Sequence, residues 1–557
     1  MAHDPAPLEI ARNAYTPQLP SLLREPPARL TLVESAPTSA VADAGEIRSR
    51  FPRTFGRPSL SLVSGAEPAP HAPLRAGVVF SGGQAPGGHN VVAGLFDGLR
   101  AAHERSGLIG FLGGPRGILE HRVRELDAPT LQPYRNAGGF DLIGSGRDKL
   151  ESVEQLAACR ATCEALGLDG LVVIGGDDSN TNAALLAEYL VEQGSALGVV
   201  GVPKTIDGDL KGGGIEASFG FDTATRVYSE LIGNVCRDAL SAGKYWHFVK
   251  LMGRSASHVT LECALQTRPN LALIGEEIER DRLTLEQVVR QVVEVVAGRA
   301  ARDRSYGVCL IPEGLVEFVP EMRELVGALN RLVARRPAAV EDASARAAPQ
   351  DELVAALPGP ARALFGSLPP RLQRQLLLDR DAHGNVQVSK IDTERLLIDK
   401  VTDAVNRLRA AGRFAGAFQV QGHFFGYEGR CAAPTDFDAD YGYALGRWAA
   451  LLLALRRTGY LCGVQGLAAP PDAWRPIAVP LTSLMRVETR KGRRVPVIGK
   501  ALVRLDAEPF STFAAERPRW ALDDAYRYPG AIQYFGPPAV RATPPLTLQL
   551  EHRTVRP

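Results

Sequence analysis

The stretch GLVVIGGDDSNT, Gly170 to Thr181, decides the fold. Its apolar run, Leu171 to Ile174, ends in Gly175-Gly176 and is followed by the helix-length amphipathic segment NTNAALLAEYLVEQG. An apolar strand, a glycine-rich turn and a helix, in that order, form the repeating unit of an α/β sheet. The turn also poses a chemical question. Backbone N–H groups at a strand-to-helix turn favour anions, yet this one carries the adjacent carboxylates Asp177 and Asp178, which call for a cation or a proton transfer nearby.

The same order recurs on either side. GVVF, LIGFLGG and GVVGVP are continuous Val/Ile/Leu runs, as expected of parallel strands covered on both faces. They predict a doubly wound α/β sheet beginning near Arg75. A second set follows, with YWHFVKLMG, LALIGEE and YGVCLIPEG as strands around the helical segment SASHVTLECALQ, and sheet-like organisation returns at GAFQVQGHFFGYEGR. The reading is therefore of two doubly wound α/β domains, over 75–240 and over 241–318 with 401–466. Between them, 319–400 is charged and rich in alanine and leucine, and reads as a mostly helical insertion. Residues 1–74, rich in proline, alanine and arginine, read as an N-terminal arm, extended over a neighbour or partly disordered. The region 467–557 matches no functional element, and no repeat of solenoid period is present.

A length of 557 residues suits about three or four domain-sized units. Lys+Arg of 64 against Asp+Glu of 62 argues against the broad basic field that nucleic acid or a membrane surface requires, and points to small ligands. Cysteines such as Cys236, Cys263 and Cys309 sit in apolar stretches without the spacing of a disulfide framework, which predicts a reducing cytoplasm. The N-terminus lacks a basic start followed by an apolar core, and WAALLLAL is too short to span a membrane.

The chemistry gathers where open α/β sheets bind ligands, at the carboxyl ends of the strands. After GVVF comes SGGQAPGGHN, Ser81 to Asn90, whose glycines allow close approach to a phosphate before a helix begins. A tight turn chosen for packing is the alternative reading of this loop taken alone. After GVVGVP comes KTIDGD, Lys204 to Asp209, a cation and two carboxylates on a short loop. A structural salt bridge is the bland alternative, but charges at strand ends are poorly placed to stabilise a core. Asp207 can remove a proton from an alcohol and Lys204 can neutralise a phosphoryl group in transfer.

Together these loops resemble the phosphofructokinase family, in which the corresponding turns read GG-x-x-PG, GGD-x-S and TID-x-D. Further on, Met252-Gly253-Arg254 is similar to the family's MGR element, Pro312-Glu313-Gly314 to its PEG element, and Gly426 to Arg430, GYEGR, to a late arginine-bearing element. The resemblance spans about Arg75 to Arg447 and rests on six motifs in order. ATP-using members carry glycine where this chain has Asp178 and Lys204. The chain thus resembles the long form of the diphosphate-dependent branch, which transfers a phosphoryl group from diphosphate to the 1-hydroxyl of fructose 6-phosphate.

That resemblance implies a role for each matching residue. Asp207 is the proton acceptor, Lys204 stabilises transition-state charge, and Asp178 excludes the α-phosphate of ATP. Gly82 lies against diphosphate, and Asp177 contributes to a Mg²⁺ site, a metal that keeps most of its waters. Thr205 and Ile206 help hold the acceptor; Met252 and Gly253 supply shape and backbone. Arg254, Glu313, Tyr427, Glu428, Gly429 and Arg430 hold fructose 6-phosphate, with Arg430 offering a planar fork to its phosphate. Lys244 and Tyr245 reach the site of an adjacent subunit in a homodimer or homotetramer. By these roles 75–240, with part of the C-terminal region, is the diphosphate and Mg²⁺ domain, and 241–318 with 401–466 the fructose 6-phosphate domain.

Other features have plainer readings. Cys159 and Cys163 lack histidine partners for a metal site. Arg490 to Arg494 is a solvated loop, not a nucleic-acid patch. His89 and His258 cap helices or hydrogen-bond locally. A non-catalytic regulatory subunit should have lost the base or the lysine, whereas Lys204, Thr205, Asp207, Asp177 and Arg254 are all present. An ATP-dependent kinase is disfavoured by Asp178 and Lys204.

Overall fold

The runs read as strands form strands, with one exception. In the computed structural model these are β1 (Leu30–Pro37), β2 (Pro58–Ser64), β3 (Arg75–Ser81), β4 (Gly107–Phe111), β5 (Val123–Glu125), β6 (Gly170–Gly175), β7 (Gly198–Pro203), β8 (Trp246–Leu251), β9 (Leu271–Ala272), β10 (Gly307–Pro312), β11 (Val420–Phe425), β12 (Tyr460–Gln465), β13 (Arg475–Pro480), β14 (Met485–Arg490) and β15 (Arg493–Ile498). The structure describes residues 5–65, 67, 69–335, 354–379, 386, 390–490, 493–541 and 543–553. Parts of the expected insertion (336–353, 380–385 and 387–389) and Lys491-Gly492 lie outside the described residues.

The chain divides into two compact units, Met1–Val227 with Tyr427–Ala501 and Ile532–Pro557, and Tyr228–Gly426 with Leu502–Ala531. In the first, nine strands form one sheet in the order β1-β2-β13-β12-β7-β6-β3-β4-β5. From β12 to β4 the pairings are parallel, and every residue of β6 and β7 is buried, which accounts for their unbroken apolar runs. The chain moves outward from β3 to β4 on one side and from β6 to β7 on the other. The order therefore reverses between the neighbours β3 and β6, the switch point at which such sheets open a crevice for ligands.

The second unit holds the four-stranded parallel sheet β11-β8-β10-β9. The exception falls here. LALIGEE, read as a full strand, pairs with β10 only through Leu271 and Ala272, and Gly275–Arg280 is helical. Two adjacent glutamates in that first helical turn favour the helix dipole, and a β-carbon on Gly275 would collide with the Phe318 ring at 2.3 Å. The described insertion is helical as expected, with helices Pro320–Arg335, Gly359–Ser367, Pro370–Leu378 and Thr393–Ala410. Leu325, Leu329, Phe365, Leu376 and Val401 join the same core as Phe248 of β8 and Val292, so these helices extend the unit's own core.

The N-terminal segment differs from the arm expected of it. Its strands β1 and β2 pair with each other and, through Leu60 and Ser61, with β13, extending the first sheet. SLSLVS alternates, with Leu60 and Leu62 buried and the serine between them exposed, which is the period of a half-buried antiparallel strand; flanking proline and alanine obscure it. Ile47 and Phe51 are fully buried in the core beneath β6 and β7. The region after Gly466 likewise carries structure, including β13 and the β14–β15 hairpin. No described helix is long and apolar enough to cross a membrane.

Candidate active site

In the first unit three turns meet at the switch point. Gly82 follows β3 with φ +90°, a backbone that glycine adopts without cost, and its N–H donates to the Gly146 carbonyl at 2.8 Å. The β6 turn is braced by Asn180, whose amide donates to the carbonyls of Gly175 (2.6 Å) and Gly176 (3.0 Å). Ser179 Oγ donates to Ser81 Oγ at 2.8 Å and ties the two turns together. The third turn continues the β6–β7 ladder through Lys204 N–H to Gly175 O (3.0 Å). Beyond it the Asp207 N–H donates to Thr205 Oγ1 at 3.0 Å, and Gly208 at φ +73° turns the chain so that Asp207 is half-buried and Asp209 buried. Ile206 is buried, anchoring the loop between them.

Asp177 and Asp178 are the first two residues of the helix Asp177–Glu192, Asp178 being exposed. A carboxylate in a first helical turn is stabilised by the helix dipole, which gives the paired acids a local justification beside any role toward a ligand.

The charges of this unit converge. Burial, and then the Arg430 guanidinium, pull the Lys204 ammonium down to about 8, while Asp207 and Asp177 favour its charged form. The Asp209 carboxyl is pushed up, first by burial and then by Asp207 and Asp177, with Lys500 opposing. Three carboxylates thus share a field that an added cation would relieve. No three metal-ligating side chains converge on one point among the described residues. Asp177, a partly exposed oxygen donor, fits an ion such as Mg²⁺ that takes one or two carboxylates and keeps most of its hydration shell.

Arg430 lies in the same unit. Its guanidinium occupies the space a β-carbon on Gly83 would need, 1.5 Å from that point, and its Nε donates to the Gln84 carbonyl at 3.3 Å. The fork assigned to the sugar phosphate therefore rests on the turn assigned to diphosphate. Tyr427 is exposed, Gly429 buried, and Tyr427, Glu428 and Gly429 form with Arg430 one helical turn.

In the second unit Met252-Gly253-Arg254 follows β8 and Glu313-Gly314 follows its neighbour β10. The Gly253 N–H donates to the buried Glu313 carboxylate at 3.1 Å, and a β-carbon on Gly314 would stand 1.8 Å from the Arg254 carbonyl oxygen. The two turns are locked together, with Met252 buried and Arg254 exposed. Lys244 and Tyr245 precede β8, at the other end of the strand from Met252 to Arg254. Six strand residues separate the two groups by about 20 Å. One chain does not bring them to one ligand.

Reading the sequence missed Arg147, Asp209 and Lys500. Arg147 follows the Gly146 that pairs with Gly82, and acts on the Lys204 charge. Asp209 was visible as the second acid of KTIDGD, a spacing that allows two roles. Lys500 has no local signal, since a hairpin far along the chain delivers it.

Comparison with known proteins gives the family of the chain. A model of the family described as Phosphofructokinase matches residues 75–338. The chain is 53% identical over 553 residues to pyrophosphate–fructose 6-phosphate 1-phosphotransferase of Treponema pallidum (strain Nichols), spanning 98% of this chain and 96% of that one. It is 49% identical over 544 residues to the protein of the same name from Porphyromonas gingivalis, spanning 98% of each. Among solved structures, a pyrophosphate-dependent phosphofructokinase from Nitrosospira multiformis superposes with a TM-score of 0.54 at 14% identity, over 86% of this chain and 97% of that one, a likeness of fold.

Proposed function

The chain belongs to the phosphofructokinase family, and from that premise we propose how its turns divide a reversible, Mg²⁺-dependent transfer between diphosphate and fructose 6-phosphate. The enzyme is a phosphotransferase that moves a phosphoryl group from diphosphate to the 1-hydroxyl of fructose 6-phosphate, giving fructose 1,6-bisphosphate and phosphate. The observation that carries the division of roles is the juxtaposition, in one unit, of Gly82, Lys204, Asp207 and Asp177 at the switch point.

Diphosphate lies along the Gly82 turn. Asp207 takes the proton of the sugar 1-hydroxyl as that oxygen bonds to the nearer phosphorus and the bridging P–O bond breaks, releasing phosphate. The Lys204 ammonium faces the equatorial oxygens, where charge gathers in transfer; its burial makes that charge stronger than it would be in water. Asp177 holds the Mg²⁺, which when bound neutralises phosphate oxygens. Asp178, exposed at the helix start, excludes a donor that extends past its second phosphate.

Thr205, Ile206, Met252, Gly253, Arg254 and Glu313 hold fructose 6-phosphate, with Tyr427, Glu428, Gly429 and Arg430. The position of Arg430 on the donor turn supports a further contribution to the phosphoryl charge. Lys244 and Tyr245 serve the site of a neighbouring copy, which is supported by their place at the far end of β8. The assembly is a homodimer or homotetramer in the cytoplasm, in keeping with seven cysteines that form no disulfide, six of them buried.

The test is Asp207→Ser. Turnover with diphosphate should fall ~10² to 10⁴-fold while fructose 6-phosphate still binds by calorimetry, because the carboxylate acts on a proton in flight. Wild-type turnover in that variant would remove Asp207 from the role of base.

A further inference from the structure

The segment after β15 does more than end a hairpin. The Ile498 N–H donates to Thr181 Oγ1 at 3.0 Å, and Thr181 Oγ1 donates to the Asp177 carbonyl at 2.9 Å, so the end of β15 is tied to the helical turn bearing Asp177 and Asp178. Three residues on, the Ala501 N–H donates to the Asp209 carbonyl at 2.7 Å. Ile498 itself is buried in the core with Leu484 and Met485. Lys500 is thus clamped on both flanks to the two acid-bearing turns of the donor site. Its Nζ stands 3.7 Å from Asp177 Oδ2, an electrostatic contact beyond hydrogen-bond range, and its side chain is 29% exposed.

A salt bridge kept for stability is a poor account of this arrangement. An ion pair of that length and exposure contributes little, and two backbone hydrogen bonds already secure the segment. Nor is this an ordinary surface cation, because lysine is scarce in a chain whose basic residues are nearly all arginine. A lysine offers a compact charge with three donors, suited to a phosphate approached from one side.

We propose that Lys500 is a donor-binding residue whose ammonium, held beside Asp177 by the Ile498–Ala501 segment, accepts the leaving phosphate of diphosphate. The inference rests on the reading of the Gly82 and Asp177 turns as a diphosphate site. Lys204, in the field of Asp207, attends the phosphoryl group that moves. Lys500, in the field of Asp209 and in contact with Asp177, attends the phosphate that stays behind. The C-terminal region, for which the motifs suggest no role, then completes the donor pocket.

The experiment compares Lys500→Gln and Lys500→Arg with wild type in both directions. Lys500→Gln should raise KM for diphosphate about tenfold or more, equivalent to about 1.4 kcal/mol. It should raise KM for phosphate in the reverse reaction similarly and leave KM for fructose 6-phosphate and fructose 1,6-bisphosphate within about twofold. Lys500→Arg should recover most of the loss. A separate measurement on wild-type enzyme guards against a variant that does not fold: diphosphate, but not fructose 6-phosphate, should protect Lys500 from acylation, read by mass spectrometry. Unchanged diphosphate KM, equal rises for all substrates with a lowered Tm, or labelling of Lys500 indifferent to diphosphate would each overturn the proposal. Failure of the underlying reading looks different, since Gly82→Ala would then leave kcat/KM for diphosphate unchanged.

Discussion

The Lys204 ammonium stands 3.3 Å from the point where a β-carbon on Gly82 would be. Glycine is thus required twice at position 82, for its positive φ and for the space that brings a buried cation against the phosphate turn. Gly82→Ala should force both a strained backbone, at a cost of about 1–2 kcal/mol, and a displaced ammonium. The expected outcome is at least a tenfold loss in kcat/KM for diphosphate with KM for fructose 6-phosphate unchanged, measured by steady-state kinetics with each substrate varied.

In the proposed role, Lys204 should set the alkaline limb of activity. Buried and held down to about 8 from an ordinary 10.5, it is charged below about pH 8 and neutral above. Because the ammonium is the useful form, kcat/KM for diphosphate should fall as pH rises through about 8, after correction for ionisation of the donor. The same limb in kcat should lie at higher pH, since bound diphosphate favours the charged form. Stability runs the other way. Between about 8 and the ordinary value the unfolded chain binds more protons than the folded one, so this group makes stability rise with pH in that window. Lys204→Met should lose the activity and the slope together without lowering Tm at neutral pH.

Asp178→Gly tests donor choice. Removing the exposed carboxylate from the helix start should admit a longer donor, so that ATP binding becomes measurable by calorimetry, while diphosphate use weakens. Lys204→Gly should depress turnover with diphosphate without creating activity with ATP. If Asp178→Gly bound ATP no better than wild type, the paired acids would be explained by the helix dipole and Mg²⁺ alone.

Complementation tests the sharing of sites. Tyr245→Ala and Asp207→Ser, each inactive alone, should recover roughly a quarter of wild-type activity when co-expressed in equal amounts, because half of the dimers are mixed and each mixed dimer holds one intact site. Additive inactivity in demonstrably mixed oligomers would place Tyr245 outside the substrate site.

The N-terminal segment has a measurable structural role. Arg12, buried, pairs with the buried Asp436 at 2.6 Å and stacks on Tyr534 with its guanidinium 4.4 Å from the ring centre. Arg12→Ala leaves a buried carboxylate with, among the described residues, the longer contact to Arg541 at 3.5 Å, and should cost about 3–5 kcal/mol in chemical denaturation. Replacing Arg12 and Asp436 together by apolar residues should cost less than the single change.

What the sequence by itself determined is local in origin. Largely apolar runs ending in loops that bear the motifs identify β3, β6, β7 and β10, because strands buried on both faces are mostly apolar, and the turn residues follow at fixed offsets; β8 carries the buried His247 and Lys250 within its run. Gly82, Asp177, Lys204 and Asp207 were legible for that reason. The alternation of SLSLVS was present but was masked by the surrounding proline, so β2 went unread. Only the tertiary structure decided that β1, β2 and β13 extend the first sheet, and that Arg430 lies over Gly83. It also decided that Lys244 and Tyr245 stand a strand's length from Arg254, and that Lys500 arrives beside Asp177 from some 320 residues along the chain. Strand order, and contacts between residues far apart in the chain, depend on how faces pack, and no residue pattern within one segment carries that information.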